Sequence, residues 1–224
     1  MTPRYIHFVR HGQGLHDLYN DQNIPDPDLT EHGYAQCEHL RDIFPYHDRI
    51  QLVCASPIRR TIQTALISFE PYLQSGKRQV LAIPRGQESS SQPSNTGHDP
   101  STLKAEFGKL VDFSLVQEDW NSKEGLWAPD WHTVELRARQ LRLLLRAREE
   151  KEIVVISHGN FLHHVTGNID EQGRQTGGDW KNAEYRTYIF DPPDHEDALI
   201  QETEESYRAR SADGPSEEMH RDKL

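Results

Sequence analysis

Cysteine is scarce: only Cys37 and Cys54 occur in 224 residues, which excludes a disulfide scaffold. Cys54 lies inside an apolar run, where a buried free thiol is expected. No apolar run reaches 18 residues, and the N-terminus lacks the continuous apolar core of a signal peptide. A soluble, cytoplasmic protein is expected. Basic charge is also short, with 25 Lys and Arg against 36 Asp and Glu for a formal net of -11. Non-specific attachment to nucleic acid or to an anionic membrane needs a basic footprint, so neither partner is expected. The acidic excess is uneven, because residues 191–224 hold eleven acidic and four basic side chains. A local basic pocket in the preceding chain remains compatible with the total.

The apolar residues, 34% of the chain, gather in runs separated by turn signals, which argues for a globular core with polar appendages. Residues 4–10 predict a short strand that ends at His11-Gly12, and Thr30 with Glu31 predicts a helix start. Leu52 to Ala55 predicts a second strand, followed by a helix from Arg59 to Phe69 with Ile62, Ala65, Leu66 and Phe69 on one side. Val80 to Ile83 predicts a third strand. Residues 84–102, rich in Ser, Gly and Pro, predict a long loop, and residues 103–116 a helix. A stronger helix is expected over Thr133 to Glu150. Glu152 to Ile156 reads as a strand of parallel-sheet character, followed by a helix from Asn160, and Ala183 to Phe190 as a last strand. Residues 1–193 thus read as one domain and residues 194–224 as an acidic, weakly ordered tail. Deleting that tail is expected to leave the melting temperature nearly unchanged. Strands followed by helices predict an open α/β sheet covered on both faces, with ligands bound beyond the carboxyl ends of the strands.

The unusual chemistry lies at those ends. Arg10-His11-Gly12 places a cation, an imidazole and a permissive residue after one strand, and Ser157-His158-Gly159 repeats the pattern after another. A third strand runs into Ser56-Pro57-Ile58-Arg59-Arg60. A guanidinium is the natural partner of a tetrahedral anion, and in the first turn of a helix it opposes the dipole unless an oxyanion sits there. Arg59 and Arg60 project about 100° apart, so only one of them enters a given pocket. Glu88 is a lone carboxylate in the 84–102 stretch, suited to supply a proton that a cation-rich pocket lacks. Gly12-x-Gly14 is not a dinucleotide fingerprint, for no third glycine follows at the required spacing.

These elements, together with Leu29-Thr30-Glu31-His32-Gly33-Tyr34-Ala35-Gln36 and the continuation Thr61-Ile62-Gln63-Thr64-Ala65, resemble the histidine phosphatase superfamily, also called phosphoglycerate-mutase-like, in its phosphatase branch. The resemblance implies a Rossmann-like three-layer α/β/α domain with a helical insertion between the two halves of the site. It implies that His11 is a nucleophile that becomes phosphohistidine, that Arg10, Arg60 and a protonated His158 hold the phosphoryl oxygens, and that Glu88 is the acid. Arg59 falls at a variable position. Asp17 stands where many relatives have asparagine, and His16 beside it is a further pocket candidate. The expected activity is metal-independent and cofactor-independent hydrolysis of a small phosphorylated metabolite.

Two other functions stay open at this level. Asp17 and the aromatic-rich insertion allow a non-phosphate anionic substrate or a non-catalytic binding module in the same cationic pocket. A phosphoglycerate-type mutase is less favoured, because the 84–102 loop offers only Arg85 as an extra cation. Trp120, Trp127 and Trp131 read either as core anchors or as the lining of a mouth for an aromatic or apolar leaving group. His163 and His164 read as structural, and Trp180 to Glu184 as a segment approaching the site from the opposite side.

Overall fold

Strand β1 (Tyr5–Arg10) buries Ile6, Phe8 and Val9 completely, as a strand covered by helices on both faces must. The computed structural model describes residues 5–74, 78–170 and 172–212. In it β1 pairs in parallel with β5 (Glu152–Ser157) on one side and antiparallel with β6 (Tyr185–Phe190) on the other. The remaining strands are β2 (Leu52–Ala55), β3 (Val80–Ala82), β4 (Val111–Asp112) and β7 (Ile200–Glu202). The sheet order is β4-β3-β2-β5-β1-β6-β7, with β1 to β5 all parallel.

Side chains alternate between two cores, as the period-two geometry of strands requires. Val9, Val53, Ala55, Val154 and Ile156 face one layer, where Leu40 of α2 (Glu31–Ile43), Ile62 and Ala65 of α3 (Arg59–Ser68) and Tyr72 of α4 (Glu70–Gln74) share their core. Ile6, Phe8, Cys54, Ile153 and Val155 face the other. There they pack with Val134, Ala138, Leu141 and Leu145 of α6 (Trp131–Arg146) and Phe161 and Leu162 of α7 (Gly159–Val165). Burial of roughly 1.5–3 kcal/mol per large apolar side chain makes this alternation the main specifier of register.

The register also places the site. Arg10 lies opposite Ser157 and Ala55 opposite Ile156, so β1, β5 and β2 end level and His11, His158 and Ser56 emerge side by side. The Thr30 hydroxyl accepts from Gly33 N and starts α2 where its side chain predicts.

Three segments differ from expectation. The helix expected over 103–116 is α5 (Pro100–Phe107), which begins one residue after Asp99 with proline in its first turn and stops at Gly108. Val111 and Asp112 then pair with β3. The 84–102 loop contains two short 3₁₀ turns, Pro84–Gly86 and Pro93–Asn95. Most consequential, the sheet does not end at Phe190. Strand β7 adds to β6, and α8 (Glu204–Ala212) follows, both inside the segment expected to be weakly ordered. Ala198 is fully buried with Tyr188 and Phe190, and Arg139 and Arg142 of α6 bind the Asp197 side chain and carbonyl. Glu202 holds Arg210 through both oxygens. Asp197, Glu202 and Glu204, acidic side chains that read as solvation, are partnered by arginines. Residues 213–224 of the expected tail lie outside the described residues.

Candidate active site

His11 follows β1 and is 2% exposed. Its Nδ1 stands 2.7 Å from Gly12 O, which makes Nδ1 the protonated nitrogen and leaves the Nε2 lone pair outward. Arg60 Nε donates to that Nε2 at 3.1 Å. Burial first, then the charges of Arg60 and Arg10, hold His11 well below the ordinary histidine pKa, so the ring is neutral. Gly12 serves close approach here: a Cβ would lie 2.8 Å from both Gly33 O and Cys37 Sγ.

Arg60 is fully buried and is brought to His11 by the first turn of α3. Its Nη1 donates to Ser94 O (2.6 Å), and its Nη2 to Asn95 Oδ1 (2.9 Å) and His158 Nδ1 (3.0 Å). Four of its five N–H groups thus have protein acceptors. Burial pushes its pKa down to about 10, which still leaves it charged at neutral pH. His158 accepts at Nδ1 and therefore donates from Nε2 to Ser56 Oγ at 3.0 Å. Burial, then Arg60 and His11, hold it well below the ordinary value. The protonated His158 expected from the sequence is corrected to a neutral ring that orients Arg60.

The oxyanion expected at the start of α3 is a protein carboxylate: Asp26 Oδ1 accepts from Arg59 N at 2.9 Å. The Arg59 side chain turns to Asp28 and Glu106, away from His11. Arg10 Nη1 donates to Trp180 O at 2.5 Å, while its Nε is buried without a partner. A Cβ on Gly159 would lie 3.3 Å from Arg10 Cδ and Nε, so the glycine makes room for this arginine. Asp17 caps the short helix α1 (Leu15–Tyr19) through Gly14 N (2.9 Å) and stands 3.7 Å from Arg10 Nη2, so the carboxylate is paired. His16 Nε2 lies 3.4 Å from Asp17, its Nδ1 is buried without a partner, and burial lowers its pKa to about 4.

His11, His16 and Asp17 bring ligand-type atoms within 4.8 Å of one another. Arg10 and Arg60 stand beside them, and Arg60 already occupies His11 Nε2, so the set suits an anion better than a cation.

Glu88 faces this group from the insertion. Its Oε1 accepts from Phe161 N (3.0 Å), Ser89 N (2.8 Å) and Ser89 Oγ (3.1 Å). Two residues that sequence reasoning missed fix it in place. Arg137 of α6, 1% exposed, donates to Gln87 O (2.5 Å) and Glu88 O (3.2 Å) with its guanidinium 4.3 Å from the Phe161 ring. Lys123 Nζ donates to Gln87 Oε1 at 2.7 Å, and burial first, then Arg137, pushes its pKa down to about 7. Neither has a local sequence signal: Lys123 stands between Ser122 and Glu124, and Arg137 is one of several arginines in its helix. Ser157 Oγ, donating to Gly86 O at 2.7 Å, ties the same turn to the end of β5. Arg85 turns away to Gln140.

The groups share a cleft of about 490 Å³ that includes Arg10, His11, His16, Asp17, Arg60 and Glu88. Its outer wall comes from Asn160, His163, Gln175, Asp179, Trp180 and Lys181. The Trp180 to Glu184 segment does approach from the opposite side, where Asn182 Nδ2 donates to His11 O at 3.1 Å. His163, expected to be structural, lines the cleft, whereas His164 pairs with Glu135. Trp120 and Trp127 are core residues, and Trp131 packs against His164.

Among the described residues no helix is long and apolar enough to cross a membrane. The family model of the histidine phosphatase superfamily, branch 1, matches residues 6–202. A probable phosphatase from Schizosaccharomyces pombe is 30% identical, covering 86% of this chain and 88% of that protein. Phosphoglycerate mutase-like protein 1 from Arabidopsis thaliana is 27% identical over 83% of this chain and 80% of its own. The ecdysone phosphate phosphatase from Bombix mori, solved with tungstate, shares the fold at a TM-score of 0.61 and 14% identity, covering 89% of this chain and 92% of that one.

Proposed function

Because the chain belongs to the histidine phosphatase superfamily, we propose that it hydrolyses small phosphomonoesters through a phosphohistidine on His11, without a metal or cofactor. The observation that carries this reading is the neutral His11 ring, held through Nδ1 with Nε2 bonded by Arg60, and with Arg10 in the same cleft. Nε2 attacks phosphorus in line, the N–P bond forms and the P–O bond to the leaving alcohol breaks. Glu88 gives its proton to the departing alkoxide. Its three bonds all fall on Oε1, so Oε2 is the oxygen that carries the proton. Water then attacks the phosphohistidine, transfers a proton to Glu88 and releases inorganic phosphate with His11 neutral again.

Arg60 exchanges its bond to His11 Nε2 for a phosphoryl oxygen, and the unpartnered Arg10 Nε supplies a second donor. Such positioning and charge compensation are what phosphoryl transfer chiefly requires. His158 keeps Arg60 aligned and adds its ring to the oxyanion site once Arg60 moves. Asp17 is held by Arg10 and Gly14 N, which lessens the repulsion it would otherwise exert on a dianion. Phosphate release from p-nitrophenyl phosphate and from alkyl phosphates, in the presence of a chelator, tests the proposal. His11→Ala should lose activity by at least roughly 10³-fold. Equal activity in both proteins would overturn the nucleophile, and loss of wild-type activity on chelation would overturn metal independence.

A further inference from the structure

We infer that the leaving group of the substrate is a neutral polyhydroxylated alcohol, a sugar or polyol, seated beyond the phosphoryl site against His163, Asp179, Gln175 and Asn160. The inference rests on the phosphatase reading. His163 is 3% exposed and lines the cleft, and among the described residues its Nδ1 is buried without a hydrogen-bond partner. A buried polar atom left unpaired is costly unless a ligand completes its surroundings. Burial and Arg186 lower its pKa to about 4, so it is neutral and offers one donor and one acceptor. A hydroxyl, which both donates and accepts, pairs with an imidazole nitrogen in either tautomer.

The rest of the wall points the same way. Gln175 Nε2 donates to Asp179 Oδ1 at 2.6 Å, which fixes the carboxylate and leaves the other oxygen as an acceptor. Asp179 and Lys181 together give this wall no net charge. A carboxylated leaving group would meet the three carboxylates Asp17, Glu88 and Asp179 against Lys181 alone, since Arg10 and Arg60 serve the phosphoryl group and Arg85 is bound to Gln140. An aromatic leaving group lacks a platform. Trp120 and Trp127 are in the core, and the Trp180 ring carries Arg186 at 4.0 Å from its centroid. The cleft, at about 490 Å³, falls within the range of small-molecule sites.

The test is kcat/KM for glucose 6-phosphate and sorbitol 6-phosphate against 3-phosphoglycerate, phenyl phosphate and hexyl phosphate. Each value is divided by that of the same protein on p-nitrophenyl phosphate. The wild type should favour the hydroxylated substrates by at least about tenfold, because a site built to bond hydroxyls rejects analogues lacking them. Asp179→Lys, a surface change, should shift the ratio toward 3-phosphoglycerate by about tenfold. His163→Leu should lower the hydroxylated substrates relative to hexyl phosphate, with its melting temperature recorded as the control for folding. Preference of the wild type for the carboxylated, aromatic or alkyl substrate would overturn the inference while leaving the phosphatase reading intact. So would an unchanged ratio in Asp179→Lys. Absence of phosphate release from every substrate, p-nitrophenyl phosphate included, would overturn both.

Discussion

An imidazole that attacks phosphorus must be uncharged, and here burial does that work before any substrate arrives. His11 is enclosed, faces two guanidiniums and is held by a backbone carbonyl, so the Nδ1–H tautomer is set by the chain itself. His158 is neutral for the same reasons, and its part in the free protein is to hold Arg60. Glu88 is a different case, because its bonds converge on one oxygen and leave the other to exchange a proton. Glu88→Gln retains the oxygen acceptor for Phe161 N, so folding and phosphate binding should persist. Single-turnover phosphorylation of His11 should slow by roughly 10²–10⁴-fold with an alkyl phosphate and far less with p-nitrophenyl phosphate, whose leaving group needs little protonation. An equal loss on both would remove Glu88 from the acid role.

At the scale of elements, the positions of His11, His158 and Arg60 were legible because each follows an apolar strand, and strand ends are visible as breaks in hydrophobic runs. What fixes Glu88 was not legible. Arg137 reaches the carbonyls of Gln87 and Glu88 across about fifty positions of sequence, through main-chain atoms that carry no residue signature. Arg137→Lys keeps the charge but loses the planar fork, so kcat should fall by roughly tenfold with KM nearly unchanged. A rise in KM at constant kcat would show that Arg137 acts on substrate binding and not through Glu88. The C-terminal elements were misread for another reason. Composition registers acidic residues but not that Asp197 and Glu202 meet Arg139 and Arg210, nor that Ala198 is enclosed. Deleting residues after Pro193 removes β7 and α8 and uncovers β6, so the melting temperature should drop by several degrees. An unchanged value in calorimetry would show that these elements add nothing to the sheet.

For the molecule as a whole, four buried histidines held below their ordinary pKa tie stability to pH. His11, His16, His158 and His163 resist protonation in the folded state, chiefly through burial, whereas in the unfolded chain they titrate near 6.5. The unfolded state then binds more protons, so stability is full above about pH 6.5 and falls as pH drops toward 4. The melting temperature should be lower at about pH 5 than at about pH 7.5, and His163→Asn should reduce that difference. A larger difference in the variant would contradict this origin. The most direct test of the mechanism is rapid acid-free quenching of the protein with a turning-over phosphomonoester, followed by phosphorus NMR and peptide mapping. A phosphoryl group on His11 Nε2, stable in base and labile in acid, should form and decay no slower than turnover and be absent in His11→Ala. Sustained phosphate release with no phosphorylated His11, or with the adduct on another residue, would contradict it.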